Sequence, residues 1–385
     1  MAIIAGQAVR GDNFWDRPYI MEDILEIIEN GGHILLIAPR RVGKTSLMYR
    51  VLDTVDDEYV VIYINTQAQQ SVNTFWEKLF TELMDDDFVA TLENKAKNLY
   101  KKMKSIRFSE IGVKGVKFGD SKEIDYSKAF EVLLKSLDGD KKLIVMIDEF
   151  SQTIENIINY ESIQKAEQLL EEHRDLRQNH KISDNVVFIY AGSIGLESVV
   201  GRINSTRHIN DLTDIQVPPL SRESAKEFIN HLSETNNMNF SEDIVDYMLE
   251  KIEWYIPFYI QLISQEMKRL YRRNPMIDKK TVDQAIENIL VSKKDFIHWE
   301  ERLNSFSKER KAFAKEVLNQ ISQDEKLSRR KIQNIGAKYK LKEDGLNKTI
   351  DALKYDGYIN NSDDARIYRF NSPILRTWWY RNVAN

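Results

Sequence analysis

Short apolar runs at His33 to Ile37, Tyr59 to Ile64, Leu143 to Ile147 and Val186 to Ala191 read as buried strands, and Asp214 to Val217 adds a last one stopped by Pro218-Pro219. Between them the apolar positions recur every three or four residues: Ile20, Ile24, Leu25, Ile27 and Ile28 before Gly31-Gly32, then Leu47, Met48, Val51 and Leu52, then Phe75, Trp76, Leu79 and Phe80. That spacing gathers one apolar stripe on each helix. A further helix is expected over Ser127 to Leu137, and the polar stretch after Asp148-Glu149 is expected to form one long helix. Helical periodicity from Val72 runs through Asp85-Asp86-Asp87, a solvated helix end, to Lys104, and Arg107 to Gly119 alternates like an inserted hairpin. Strands alternating with helices predict an α/β domain with a parallel, three-layer sheet.

After Pro219 the strand signals stop. Ser221-Arg222-Glu223-Ser224 opens a helix with a good N-cap, and the chain reads as helical to about Leu290. Val291 to Ser307 reads as a connection. Helices are then expected at Lys308 to Ile321, Ser328 to Ala337 and Glu343 to Tyr355, followed by a β-hairpin of Gly357-Tyr358-Ile359 and Ile367 to Phe370 about the polar turn Asn361 to Ala365. Such an order predicts a winged helix. The expected division is therefore a core over 1–218, an α-helical lid over 219–295 and a winged-helix domain over 296–385.

Chemistry enters at the end of the first strand. Ala38-Pro39-Arg40-Arg41-Val42-Gly43-Lys44-Thr45-Ser46 ends like a P-loop, in which backbone N–H groups and a helix start surround phosphate oxygens, Lys44 adds positive charge and Thr45 offers a hydroxyl to Mg²⁺. Ala38 stands where the first glycine of that pattern belongs, which costs little if its φ is negative. Asp148, at the end of a separate buried strand, suits the metal shell, and Glu149 can polarise an attacking water. Ser193, after the fourth strand, is a candidate γ-phosphate sensor or a plain capping serine. Arg40 and Arg41 either brace phosphates or a neighbouring subunit, or sit on the surface. Phe14-Trp15-Asp16-Arg17 either covers an adenine base, with Arg17 beside it, or staples the helix that follows.

Composition removes other chemistries. The 385 residues contain no cysteine, so disulfides, thiolate zinc sites and cysteine nucleophiles are excluded, and the six histidines show no ligand spacing. Hydrophobic residues make up 42% and charged residues 30%, ordinary for a soluble globular chain, and no run is long enough to cross a bilayer. A cytoplasmic protein without membrane association is expected. Net charge is −5, but Phe306 to Asn385 holds 17 Lys+Arg against 10 Asp+Glu, leaving 38 against 50 elsewhere. A local +7 suits a polyanion or simple solubility. In a DNA complex the third helix of the winged unit would place Asn347 and Lys348 in the major groove, with Arg366 or Lys326 on phosphates; Glu343, Asp344 and Asp351 on that helix oppose this, and a protein partner is the alternative. Trp378-Trp379-Tyr380 seals the unit's core or stacks bases.

As a set, Phe14 to Arg17, the Pro-Arg-Arg-x-Gly-Lys-Thr-Ser loop, Ile147-Asp148-Glu149-Phe150, Gly192 to Leu196, Ile209 to Leu212 and Pro219-Leu220-Ser221 resemble the archaeal-type ATPase family, of the STAND class within the AAA+ superfamily. The resemblance implies a P-loop NTPase with an α-helical lid and a C-terminal winged helix, binding ATP or ADP with Mg²⁺. It implies slow ATP hydrolysis in a nucleotide-controlled switch, with nucleotide-dependent homo-oligomers. Other roles it leaves open are an ATP-dependent DNA-binding factor of the initiator or mobile-element kind, and a defence or signalling scaffold. The family's lid carries a Gly-x-Pro element whose proline approaches the adenine; it matches Pro257, although Tyr255 stands where the glycine belongs. Arg202 and Arg207 are the candidates for the cation that stabilises charge during hydrolysis, in cis or towards a neighbouring subunit, with plain surface roles as the alternative.

Overall fold

The computed structural model describes residues 1–15, 17–84, 125–137, 141–192 and 195–384. The acidic run 85–87, the stretch to Lys104, the hairpin expected over Arg107 to Gly119 and the sensor candidate Ser193 lie outside them. The chain divides into two compact units: Arg17–Ile37 with Val51–Gln216, and Met1–Asp16 with Ala38–Arg50 and Val217–Asn385.

The first unit is built on a parallel sheet of five strands among the described residues: β1 (Ile34–Ile37), β2 (Tyr59–Asn65), β3 (Lys142–Asp148), β4 (Val186–Ala191) and β5 (Thr213–Gln216). Their order is β2-β3-β4-β1-β5. β1 and β4 are buried along their whole length, as strands covered on both faces must be, which is why they are continuous apolar runs rather than alternating ones. Leu36 lies level with Ala191, and Ile147 with Tyr190, so the carboxyl ends of β1, β4 and β3 finish side by side on one edge. Expected strand ends were off by a residue or two: His33 stays outside β1 and Asp148 belongs to β3.

The opposite, amino edge is stitched by polar groups. His33 Nδ1 accepts from the Phe188 N–H at 3.1 Å while Nε2 faces the Arg177 carbonyl at 3.3 Å, an arrangement that requires the neutral ring. Burial and the Arg177 charge push its pKa down to about 4. Arg177 in turn forks onto Asp211, with Nε and Nη2 at 2.7 and 2.8 Å from the two carboxylate oxygens. The long helix expected after β3 is two helices, Phe150–Tyr160 and Ile163–Gln178. Glu161 breaks them with φ −115° and ψ −86°, and the Ser162 hydroxyl restarts the second by accepting from the Lys165 N–H.

The second unit carries the helices Arg222–Thr235, Glu242–Ile252, Pro257–Arg273 and Lys279–Val291. The stretch expected as a connection is helical at Ile297–Arg302, and Phe296 and Trp299 are fully buried. It is core, because its aromatic residues find partners that no local pattern announces: Phe296 stacks on Trp378, and Trp299 meets Tyr358 edge-on. Helices Lys308–Asp324, Arg329–Lys338 and Glu343–Tyr355 follow with a small antiparallel sheet of β6 (Leu327–Ser328), β7 (Ile359–Asn360) and β8 (Ile367–Phe370), ordered β6-β8-β7. β6 is two residues long, too short to be seen in a sequence pattern. Gly336 lets these helices close, since a Cβ there would come within 2.5 Å of Leu346. Trp378 and Trp379 are buried, filling the core rather than offering a face to bases.

Candidate functional site

In the sheet unit, Asp148 ends β3 almost wholly buried, and both of its oxygens are engaged: Oδ2 accepts from the Tyr63 hydroxyl at 2.8 Å and Oδ1 from the Glu149 N–H at 2.9 Å. Hydrogen bonds from two sides fix the carboxylate's rotamer. Behind it, Thr66 donates from its N–H and hydroxyl to the Asp148 carbonyl, and Thr153 donates to the Thr66 carbonyl at 2.7 Å. Neither Tyr63, Thr66 nor Thr153 was identified from the sequence. The polar ending Asn65-Thr66-Gln67 was the one signal that could have pointed there.

Glu149 sits at the N-cap of helix Phe150–Tyr160 in the left-handed region, φ 59° and ψ 26°, and its side chain does not cap that helix. A non-glycine residue there costs on the order of 1–3 kcal/mol, and such residues gather at functional sites. The carboxylate is half-buried at the sheet edge where ligands of open α/β sheets collect.

In the second unit, the loop from Ala38 to Gly43 precedes the helix Lys44–Thr54. Ala38 lies outside the residues with positive φ, as its substitution for glycine requires. Positive φ falls instead at Arg41 (64°) and Gly43 (105°), with Val42 between them. Alternating handedness of this kind turns successive N–H groups to one side, and the helix start adds its positive end. Ala38 and Val42 are buried, and Lys44 Nζ donates to the Ala38 carbonyl at 2.9 Å. The Ser46 hydroxyl accepts from the Val9 N–H at 3.0 Å, tying the loop's helix to the N-terminal segment.

The two arginines of the loop are not surface residues. Arg41 Nη1 donates to the Gly6 carbonyl at 2.9 Å, its guanidinium lies 5.0 Å from the Phe258 ring centroid, and Nε reaches His298 Nε2 over a long 3.4 Å. Burial, with the charges of Arg41 and Arg40, pushes the His298 pKa down to about 3. Arg40 Nε is buried with no hydrogen-bond partner among the described residues. An orphaned donor of this sort fits a bound anion. Pro39 lies next to Gly357, where a Cβ would come within 2.3 Å of Trp254 and 3.3 Å of Pro39.

Pro257 starts the helix Pro257–Arg273, directly before Phe258. Trp15 stacks on Phe228 at 5.0 Å and donates to the Ser224 hydroxyl, so one face of this ring is committed to a helix. Arg17 precedes the helix Pro18–Glu29, and burial lowers its pKa to about 10. Arg202 forms an ion pair with the buried Glu155, whereas Arg207 is exposed beside His208. Thr45 is half-buried. Its hydroxyl and the Asp148 carboxylate are hard oxygen donors, the kind Mg²⁺ takes. Among the described residues no cluster of three or more His, Asp or Glu side chains could hold a metal without further ligands.

A family profile described as an ATPase domain predominantly from Archaea matches residues 14–252. No curated protein sequence matches the chain. Among solved structures, a Walker-type ATPase of Pyrococcus abyssi superposes with a TM-score of 0.66 at 17% identity, covering 98% of this chain and 99% of that one. The ORC2 protein of Aeropyrum pernix, in ADPNP–ADP complexes, superposes with a TM-score of 0.56 at 10% identity, covering 95% and 94%. At such identities the likeness speaks for the fold.

Proposed function

Because the chain belongs to the ATPase family found predominantly in Archaea, and so binds ATP and hydrolyses it, we propose that it works as a Mg²⁺-dependent switch of the STAND/AAA+ type. In this reading the N–H groups of residues 38 to 46, with Lys44, hold the triphosphate, and Arg40 offers its unpartnered N–H. Thr45 and Asp148 hold the metal, which offsets phosphate charge when bound. Glu149 orients water in line with the γ-phosphorus. The parallel ends of β1 and β3 on one sheet edge support assigning both motifs to one ligand. Ser193 keeps its assignment as sensor. The Arg202–Glu155 pair favours a tethering role for Arg202, which leaves the exposed Arg207 as the better candidate to reach a neighbouring subunit in a nucleotide-dependent oligomer. Arg17 and Pro257 are assigned to the base. The division into core, lid (219–295) and winged-helix domain (296–385), and a cytoplasmic location, belong to the same reading; no helix among the described residues is long and apolar enough to cross a membrane.

The observation that carries the switch is the position of the phosphate loop. Pro39 lies within 3.3 Å of where a Cβ on Gly357 would stand, and Arg41 reaches His298, so both border the C-terminal part of the same compact unit. A phosphate that moves the loop must therefore move, or be resisted by, those contacts. Hydrogen exchange at 297–302 and 357–360 tests this, with ADP against a nonhydrolysable ATP analogue: a switch gives different protection in the two states. Identical protection sinks the switch while leaving the ATPase intact. Calorimetry on Lys44→Ala tests the site itself, and binding like the parent's would remove the assignment.

A second reading is an ATP-dependent DNA-binding factor. The three helices with the β6-β8-β7 sheet support it, being the elements of a winged helix in their usual order. A signalling scaffold would instead show nucleotide-driven assembly in sedimentation.

A further inference from the structure

The excess charge of the C-terminal part is concentrated in one place. Residues 326–342 hold seven Lys+Arg and no Asp or Glu; the rest of Phe306 to Asn385 then holds 10 against 10. The whole +7 resides in this segment, which is the helix Arg329–Lys338 with its flanks.

Packing turns the charge outward. Ile332, Ile335 and Gly336 are buried against neighbouring helices, while Lys326, Arg330, Lys331, Gln333, Asn334, Lys338, Lys340 and Lys342 are exposed. Arg330, Asn334 and Lys338 follow at i, i+4 and i+8, one face of the helix. The ion pairs of this segment do not neutralise it, since Lys331 and Lys338 reach Asp324 and Glu316 with side chains 60% and 63% exposed. The wing contributes as well: the Arg329 N–H donates to the Arg366 carbonyl at 2.7 Å, placing exposed Arg366 at the helix start. Arg329, Arg330 and Lys331 all occupy the first turn, where the helix dipole disfavours cations. Local stability therefore does not account for them.

The third helix differs. On Glu343–Tyr355 the Asn347 amide is held by Arg329 and Lys348 by Asp344 at 3.0 Å, and the exposed positions include Glu343, Asp344 and Asp351. A helix facing outward with these groups repels phosphates.

We propose that the helix Arg329–Lys338, with Lys326, Lys340, Lys342 and Arg366, is a docking surface for the phosphate backbone of duplex nucleic acid, and that the third helix is not the principal contact. The inference rests on the DNA-binding reading and relocates its surface. Charge complementarity supports the occupant, and the exposed amides of Gln333 and Asn334 are further donors for phosphate or base edges. The face lacks the exposed large apolar side chains that an anionic membrane surface would take up.

Fluorescence anisotropy of the full-length protein with a labelled duplex of arbitrary sequence, titrated over salt, tests it. The double variant Arg330→Ala/Lys331→Ala should lower the slope of log K against log salt by about 2, and affinity by roughly 30-fold at about 0.15 M salt, taking about 0.9 of a counterion per phosphate. Asn347→Ala/Lys348→Ala should leave both nearly unchanged. Thermal melting of each variant confirms that the fold is kept, and Lys340→Ala/Lys342→Ala, outside the helix, repeats the test if the first pair is unstable. If the third-helix variant shows the larger slope change, the surface is overturned while the DNA reading stands. If the parent binds no duplex at low salt, or binds anionic vesicles more tightly than duplex at equal salt, both fall. Either result leaves the ATPase assignment untouched.

Discussion

The end of β3 and the phosphate loop are held in place by different means. Asp148 is fixed by Tyr63 on β2, by Thr66 just after that strand and by the N–H of Glu149 at the start of the helix that follows, all within the sheet unit. Arg41 is fixed by Gly6, Phe258 and His298, from the N-terminal segment, the helix Pro257–Arg273 and the segment before the C-terminal helices. A carboxylate that must present one geometry in every turnover gains from rigid strand ends. A loop whose state is to be reported elsewhere gains from contacts with distant chain. The contrast teaches that the carboxylate at the end of β3 and the loop after β1 have separate supports, so each can be perturbed without the other.

The strongest way to break that separation is Glu149→Gln. Turnover should fall by about 10² to 10⁴, the usual contribution of a positioned base, with ATP affinity and nucleotide-dependent exchange at 297–302 unchanged. Loss of the exchange response along with turnover would mean that the two functions are not separable. Next in size is Asp356→Ala. Asp356 pairs with Arg302 at 3.0 Å, with side chains 2% and 7% exposed, so removing one partner should cost about 3–5 kcal/mol in denaturant titration. Because this pair lies beside Gly357 and the His298 segment, ATP affinity should also weaken, without any change at Asp148. Full ATP affinity in a destabilised Asp356→Ala protein would show that the loop does not depend on its distant supports.

The smallest effect is in pH. His33 and His298, one in each unit, have folded pKa values of about 4 and about 3, below the ordinary 6.5. The unfolded chain therefore binds more protons as pH falls through 6.5, and stability is lost progressively down towards the folded values. By about pH 5 each histidine should have removed up to about 2 kcal/mol. His33→Gln and His298→Gln, compared by urea titration at neutral pH and near pH 5, should each flatten part of this decline. If only His33→Gln does so, His298 is more open to solvent than its lowered pKa implies, and the bracing of Arg41 is correspondingly weaker.

Much of this architecture was legible from the chain. β1, β3 and β4 were found because strands buried on both faces must be apolar throughout, and Lys44 and Asp148 because one follows such a strand and the other ends one. What stayed hidden had no local signature. Tyr63, Thr66 and Thr153 are common polar residues at element ends, and only the register of β2 with β3 brings the first two to Asp148. The segment holding His298 and Arg302 reads as a connection because its partners lie 257 and 54 residues away. The basic helix was diluted by counting charge over the whole C-terminal part; burial of Ile332, Ile335 and Gly336 gave that charge a face.

The amino-acid order by itself determined β1 to β5, most helices and the chemical types at the ends of β1 and β3, because periodicity, glycine placement and charge act over a few residues. Tertiary structure alone decided that Arg41 is clamped by Gly6 and His298, that Arg202 is spent on Glu155, and that Asp148 has both oxygens engaged. Those outcomes depend on burial and on contacts between residues as far as 257 positions apart. Side-chain partners there are chosen by which surfaces exclude water together, and no short window of sequence contains that choice.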